Sequence, residues 1–204
     1  VSFDPTVDRL YIANSIGRKL DIVNFSNPSS PQLISSISMV PYGNINSVTT
    51  NNGLVALAIE NIDPQANGSV VFLNANGEFI KQVAVGAMPD MITFNKTFTK
   101  ILTANEGEPN STYSQDPEGS ITIVNISNGI ANLTTSDVTQ ISLTQFNGQE
   151  SSLRSQGIRI FSTSASVAQD LEPEYIAVSD DNTKAFVTCQ ENNAILEVDL
   201  ISNT

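Results

Sequence analysis

The residues with chemistry to offer in this chain are acidic, and they come in three groups. The first pairs Asn105-Glu106-Gly107-Glu108-Pro109 with Asp116-Pro117-Glu118-Gly119-Ser120. The second is Asp170-Leu171-Glu172-Pro173-Glu174-Tyr175, and the third is Gln190-Glu191-Asn192-Asn193. Four carboxylates fall within 106–118 of a chain that is only 15% charged. Carboxylates brought together repel one another unless protons or a cation offset their charge. Ca²⁺ suits the role, because it takes about 6 to 8 oxygen ligands from carboxylates, amides and backbone carbonyls. The expected ligands are Glu106, Glu108, Asp116, Glu118, Glu172 and Glu174, with Asn105 and Asn192 as amide oxygens; no single ion can use all of them. The competing reading is turn chemistry, in which Gly, Pro and Asx residues shape loops and the glutamates face water. That reading is preferred for Asp63-Pro64-Gln65-Ala66-Asn67-Gly68, which occupies the corresponding turn of the preceding repeat.

Composition removes other chemistries. Histidine is absent, which excludes the usual general base, the Ser-His-Asp and Cys-His pairs and imidazole metal ligands. The net charge of -12 repels phosphate backbones and anionic lipid, so neither nucleic acid nor a membrane surface is expected as a partner. The single cysteine, Cys189, lies in the apolar run 185–189 and is expected as a buried, inert thiol. No run of 18 apolar residues occurs, and residues 1–4 lack the basic and apolar regions of a signal peptide, so a secreted form would carry its leader outside this sequence. Sequons begin at Asn24, Asn67, Asn95, Asn110, Asn125 and Asn132. A chain this rich in Asn, Ser and Thr acquires several by chance. Together with the low charge they point to an N-glycosylated, extracellular surface.

The elements that must position the acidic groups are short β-branched runs bounded by Gly, Pro, Asn and Asp, with almost no helical periodicity. Residues 9–26 align without a gap on 184–201, each reading as apolar strand, polar turn, apolar strand, then Asn or Asp. Two further copies begin at Leu54 and Lys100. With Val23, Leu73, Val124 and Val198 as equivalent positions, the spacings are 50, 51 and 74 residues. A period near 50 fits a four-stranded blade and predicts an all-β, β-propeller fold. Ile22, Phe72, Ile123 and Glu197 should then occupy one place on one strand of successive blades. The expected repeats lie near 3–50, 51–98, 99–128 and 172–204 of a single domain, with an insertion of unassigned structure over about 129–170. A β-sandwich is the alternative, but it gives no reason for gapless copies 175 residues apart. Because the repeats open and close inside blades, remaining blades of the same protein or neighbouring subunits are expected to complete the ring.

The stretches 85–94, 104–109, 116–120, 170–177 and 190–194 together resemble signature motifs of the choice-of-anchor I domain family. This family includes mesenchyme-specific cell-surface glycoproteins and proteins described as alkaline-phosphatase-like. The family domain is longer than this chain, so the resemblance implies a larger, seven-bladed propeller at a cell surface or secreted. The Asp-Pro-Glu-Gly and Glu-Pro-Glu-Tyr-Ile-Ala stretches also resemble metal-binding loops of phytase-like, calcium-dependent phosphatase propellers. Three functions follow as expectations. The first is a Ca²⁺-binding, glycosylated structural or binding module of a coat, matrix or filament. The second is a Ca²⁺-dependent phosphoesterase with Glu118 or Glu174 as general base. The third is a two-carboxylate glycosidase. Phosphoryl transfer calls for Lys or Arg clamps, and the nearest in sequence to the acidic motifs are Arg154, Arg159 and Lys184, so the binding module is preferred.

Overall fold

The computed structural model describes residues 1–204, and its strands form four antiparallel sheets. The first sheet holds β1 (Ser2–Asp4), β2 (Arg9–Asn14), β3 (Lys19–Asn24) and β4 (Gln32–Ser38). The second holds β5 (Asn44–Asn51), β6 (Leu54–Glu60), β7 (Asn67–Asn74) and β8 (Phe79–Ala87). The third holds β9 (Pro89–Phe94), β10 (Lys100–Asn105), β11 (Ser120–Asn125) and β12 (Val138–Ser142). The fourth has three strands, β13 (Tyr175–Val178), β14 (Lys184–Cys189) and β15 (Ala194–Asp199). Strands consecutive in sequence are neighbours in every sheet. Each sheet is therefore an up-and-down meander closed by short turns.

The repeat holds at the level of register. Ile22 faces Tyr11, Phe72 faces Ala56, Ile123 faces Leu102 and Glu197 faces Phe186, each across the second and third strands of its sheet. The expected boundaries do not hold. The sheets divide between Ser38 and Asn44, between Ala87 and Pro89, and between Ser142 and Tyr175. The stretch 129–170 is also not wholly an insertion, because Val138–Ser142 is the fourth strand of the third sheet, paired with β11. The remainder of that stretch contains short 3-10 turns, α1 (Glu150–Ser155) and α2 (Val167–Asp170). Ser166 caps α2, its Oγ accepting from the Gln169 N–H while Gln169 Oε1 accepts from the Ser166 N–H at 2.9 Å.

The middle strands of the second and third sheets are buried almost without interruption, so each inner sheet buries both faces and three cores form between the four sheets. Tyr11, Leu20 and Ile22 meet Val55, Leu57, Val71 and Leu73 between the first and second sheets. Ala56, Val70 and Phe72 meet Ile92, Ile101 and Val124 between the second and third. Leu102, Ile121 and Ile123 meet Ile176, Ala185, Val187 and Val198 between the third and fourth, with Val167, Ala168 and Leu171 packed in. Every second-to-third-strand hairpin and every sheet-to-sheet connection lies at the same end of the sheets, as the antiparallel order requires. The hairpins are residues 15–18, 61–66, 106–119 and 190–193, and the connections are residues 39–43, 88 and 143–174.

Candidate functional site

The acidic groups gather at that end. Glu106, Glu108, Asp116 and Glu118 lie on the hairpin between β10 and β11, Glu172 and Glu174 lead into β13, and Asn192 sits on the hairpin between β14 and β15. Two glycines let the first hairpin approach the Glu172 segment. Gly107 has φ +69, and a Cβ there would meet the Glu118 backbone at 2.7 Å. A Cβ on Gly119 would stand 2.0 Å from the Leu171 carbonyl oxygen. The Gly119 N–H donates to Ala168 O at 2.8 Å and Gln169 Nε2 to Asp116 O at 2.8 Å, so helix α2 fastens the two loops together.

Their proximity shows in the titration of the carboxyls. Glu106 is pushed up to about 8 by burial and then by the charges of Asp90, Glu108, Glu174 and Glu172. Glu172 is pushed up to about 7 by burial, with Glu108, Glu191, Asp170 and Asp116 adding to the effect. Glu174 reaches about 7 through burial and its contact with Glu191, which is held low because it accepts that hydrogen bond. Asp116 is raised by burial and by Asp170. Its Oδ1 is buried without a hydrogen-bond partner. Near neutral pH this end of the molecule therefore carries carboxyl groups that are costly to ionise together. A cleft of about 480 Å³ opens among them, lined by Asp116, Asp170, Glu172, Glu191, Tyr113 and Phe161. No three Asp, Glu or Cys side chains are drawn together as a ready ligand set for a metal ion.

The two amides have other partners. Asn105 is fully buried, its Oδ1 accepting from Thr103 Oγ1 at 2.9 Å and its Nδ2 donating to Ser120 Oγ and Thr122 Oγ1 at 3.2 and 3.0 Å. Asn192 is also fully buried. Its Oδ1 accepts from the Glu172 N–H at 3.0 Å, and its Nδ2 donates to the carbonyls of Arg159 and Asp170 at 3.0 and 2.7 Å. Asn105 thus joins β10 to β11, and Asn192 ties residues 159, 170 and 172 to the last hairpin. Glu108 and Glu118 are exposed at the rim. Asp90 joins the cluster from outside the three acidic groups, and Asp170 and Glu191 join it although they are not among the expected ligands. Asp90 follows Pro89 at the start of β9, a strand end that antiparallel order alone places here. Asp170 is a structural acceptor, taking the N–H groups of Phe161 and Ser162 at 2.8 and 2.7 Å. Cys189 is buried beside the cluster and its thiol is pushed up to about 12, first by burial and then by the nearby glutamates, as suits an inert group.

The sequons divide by location. Asn67 and Asn110 stand at the acidic end, and Asn24, Asn125 and Asn132 at the opposite end; all five have solvent-accessible surface. Asn95 does not. It is 1% exposed, its Nδ2 donating to Thr97 Oγ1 and Thr99 Oγ1 at 3.1 and 3.0 Å while its Oδ1 accepts from the N–H groups of Thr99 and Lys100. A folded chain has no room for a glycan there, which corrects the expectation for this position.

Searching the curated proteins finds no match to this chain. Among solved structures it is similar to a protein provisionally named a 6-phosphogluconolactonase from Bacteroides uniformis. The TM-score is 0.63 at 11% identity, covering 99% of this chain and 50% of that one. It is also similar to hydrazine synthase of Kuenenia stuttgartiensis, with a TM-score of 0.52 at 9% identity, covering 98% and 63%. At such identities the likeness concerns the fold alone, and the chain spans half to under two thirds of those chains. The model of the choice-of-anchor I domain matches residues 1–204, the whole of the sequence whose acidic loops have just been described. The chain belongs to the choice-of-anchor I domain family.

Proposed function

We propose that the four sheets are successive blades of a larger β-propeller, and that this propeller is an extracellular, glycosylated structural or binding module stabilised at its acidic end by Ca²⁺. The observation that carries the cation is the crowding around Glu106, Glu172 and Glu174, whose carboxyls are held near or above neutrality by burial and by the carboxylates that surround them. Ca²⁺ removes that repulsion with the hard oxygen donors it prefers. Asp116, with its unpartnered Oδ1, is a further donor. Because no three of these groups converge in advance, binding draws the side chains together, and ordering of the loops accompanies it. Two of the basic groups nearest in sequence are engaged elsewhere, Arg154 donating to Ile160 O and Ser162 O and Lys184 pairing with Glu197 at 2.6 Å. Arg159 donates to Gln190 O, and its charge falls on Glu191 at the rim. This supports a binding role over phosphoryl transfer.

The propeller reading is supported by the outer face of the fourth sheet. Phe186, Thr188, Ile195 and Glu197 hold the places that Tyr11, Ala13, Leu20 and Ile22 hold in the first sheet, where the next sheet covers them. Phe186 and Ile195 are 39% and 68% exposed. A further blade is the occupant that the repeat itself specifies.

Thermal unfolding with Ca²⁺ and with chelator tests the cation. An ion that binds only the folded state at 100 times its Kd stabilises it by about 2.7 kcal/mol. The melting temperature should rise with Ca²⁺ in the native sequence and rise far less in Glu106→Gln and Glu174→Gln. Coincident curves for all three proteins would leave the glutamates as solvated turn residues.

A further inference from the structure

A second cavity lies at the same end, between the first connection and the second sheet's hairpin, with no lining residue in common with the acidic cleft. It measures about 350 Å³ and is lined by Tyr42, Ile59, Asn61, Asn67, Ser69 and Gln82, with Gly68 and Ala84 completing the wall. None of these side chains is charged, in a chain whose net charge is -12. Tyr42 is held by its turn, in which the N–H groups of Tyr42 and Gly43 both donate to Met39 O. Its ring also stacks on Phe79, with centroids 5.7 Å apart and planes inclined by 10°. Gln82 Nε2 donates to Ser69 Oγ at 2.9 Å, which leaves Gln82 Oε1 free to accept and the Ser69 hydroxyl free to donate. Asn61 braces the other side, its Nδ2 donating to Asn67 O at 3.1 Å and its Oδ1 accepting from the Asp63 N–H at 3.1 Å.

We propose that this cavity is a site for a neutral sugar residue. The Tyr42 ring, held in the wall of the cavity, is an aromatic surface on which the polarised C–H groups of a pyranose can pack. Paired donor and acceptor groups on amides and a hydroxyl match vicinal sugar hydroxyls. The uncharged lining gives no counter-ion to an anionic or cationic ligand. A mostly pre-formed concave site with a few placed polar groups is the usual form of a small-ligand pocket. Two sources share this chemistry. One is a sugar presented from outside. The other is the first residue of a glycan on Asn67, whose exposed side chain is part of the lining and whose sequon, Asn67-Gly68-Ser69, is part of the wall; this second source rests on the glycoprotein reading above.

The experiment has two arms. In the first, protein made in a host without N-glycosylation is examined by saturation-transfer NMR against methyl glycosides of N-acetylglucosamine, glucose, mannose and galactose. Transfer from at least one glycoside, lost in Tyr42→Ala and in the exposed Gln82→Ala, establishes the site with an outside source. In the second arm, protein from a glycosylating host is analysed by glycopeptide mass spectrometry, and the melting-temperature loss caused by Asn67→Gln is compared in native and Gln82→Ala backgrounds. A glycan at Asn67 whose removal lowers the melting temperature only when Gln82 is present establishes the protein's own glycan as occupant. Sugar on other sequons but not on Asn67 removes this source while the glycoprotein reading stands, and sugar on none removes that reading while the first arm still decides the site. No transfer in the first arm and no coupling in the second overturns the proposal.

Discussion

At the scale of single residues, polar side chains in this chain mostly hold loops in place, and only some remain for ligands. Asp4 is the strongest case. It is fully buried, and its carboxylate accepts from Thr6 N and Oγ1 at 2.9 and 2.6 Å, from Thr50 Oγ1 at 3.1 Å and from the Gly53 N–H at 2.6 Å. Burial alone would raise its pKa, but these hydrogen bonds outweigh burial and hold it below 3.8. A carboxylate depressed in the folded state stabilises fully above its unfolded pKa, and that stability is lost as pH falls through the folded value. Asp4→Ala should therefore cost about 1 to 3 kcal/mol at pH 7 by urea denaturation, and the difference from the native sequence should shrink near pH 2. An equal gap at both pH values would show that Asp4 does not act through its charge. The same scale explains what sequence could not tell about Asn105 and Asn192. An amide inside an acidic motif looks like a ligand, but the partners that engage Asn192 come from 159, 170 and 172, and nothing in the local pattern announces them. Asn95 was hidden in the same way, since a sequon records residue types and not burial.

At the scale of elements, the inner strands are legible and the outer ones are not, for a reason of burial. The second and third strands carry the apolar runs that burial imposes, unbroken in the two inner sheets and alternating in the outer ones, so Val23, Leu73, Val124 and Val198 align at once. The fourth strands lie at the edge. β4 is mostly exposed, and β12 reads Val-Thr-Gln-Ile-Ser, with too little buried surface to mark it as a strand. Edge strands so weakly marked leave the limits of each repeat open in the sequence, and β12 lies inside the segment that reads as an insertion. The buried third-strand positions should also dominate stability. Phe72 is fully buried between the second and third sheets, and Phe72→Ala should cost about 3 to 5 kcal/mol in chemical denaturation. Glu197 holds the equivalent place on the uncovered face, and Glu197→Ala should change stability by less than about 1 kcal/mol, since its pair with Lys184 is exposed. A cost for Phe72→Ala as small as that for Glu197→Ala would mean that the sheets do not pack as described.

At the scale of the whole molecule, antiparallel order brings one end of all four sheets together, and that gathers the acidic loops and the neutral cavity on a single surface. The sequence shows three acidic groups at turns and strand ends, but not that Asp90 joins them, because that depends on how adjacent sheets meet. The outer face of the fourth sheet carries the claim of further blades. In the complete protein, Phe186→Cys and Ile195→Cys should resist a charged maleimide, while Ile16→Cys, at a fully exposed position, reacts quickly. Equal labelling at all three would leave that face open to water and the propeller reading without support. The central claim is the cation, and the most direct test is calorimetric titration of Ca²⁺ into chelator-treated protein at pH 7.5. The account predicts saturable binding that weakens about tenfold or more, or about 1.4 kcal/mol, in Glu106→Gln and in Glu174→Gln. Absence of binding in the native sequence, or equal affinity in both variants, would contradict it.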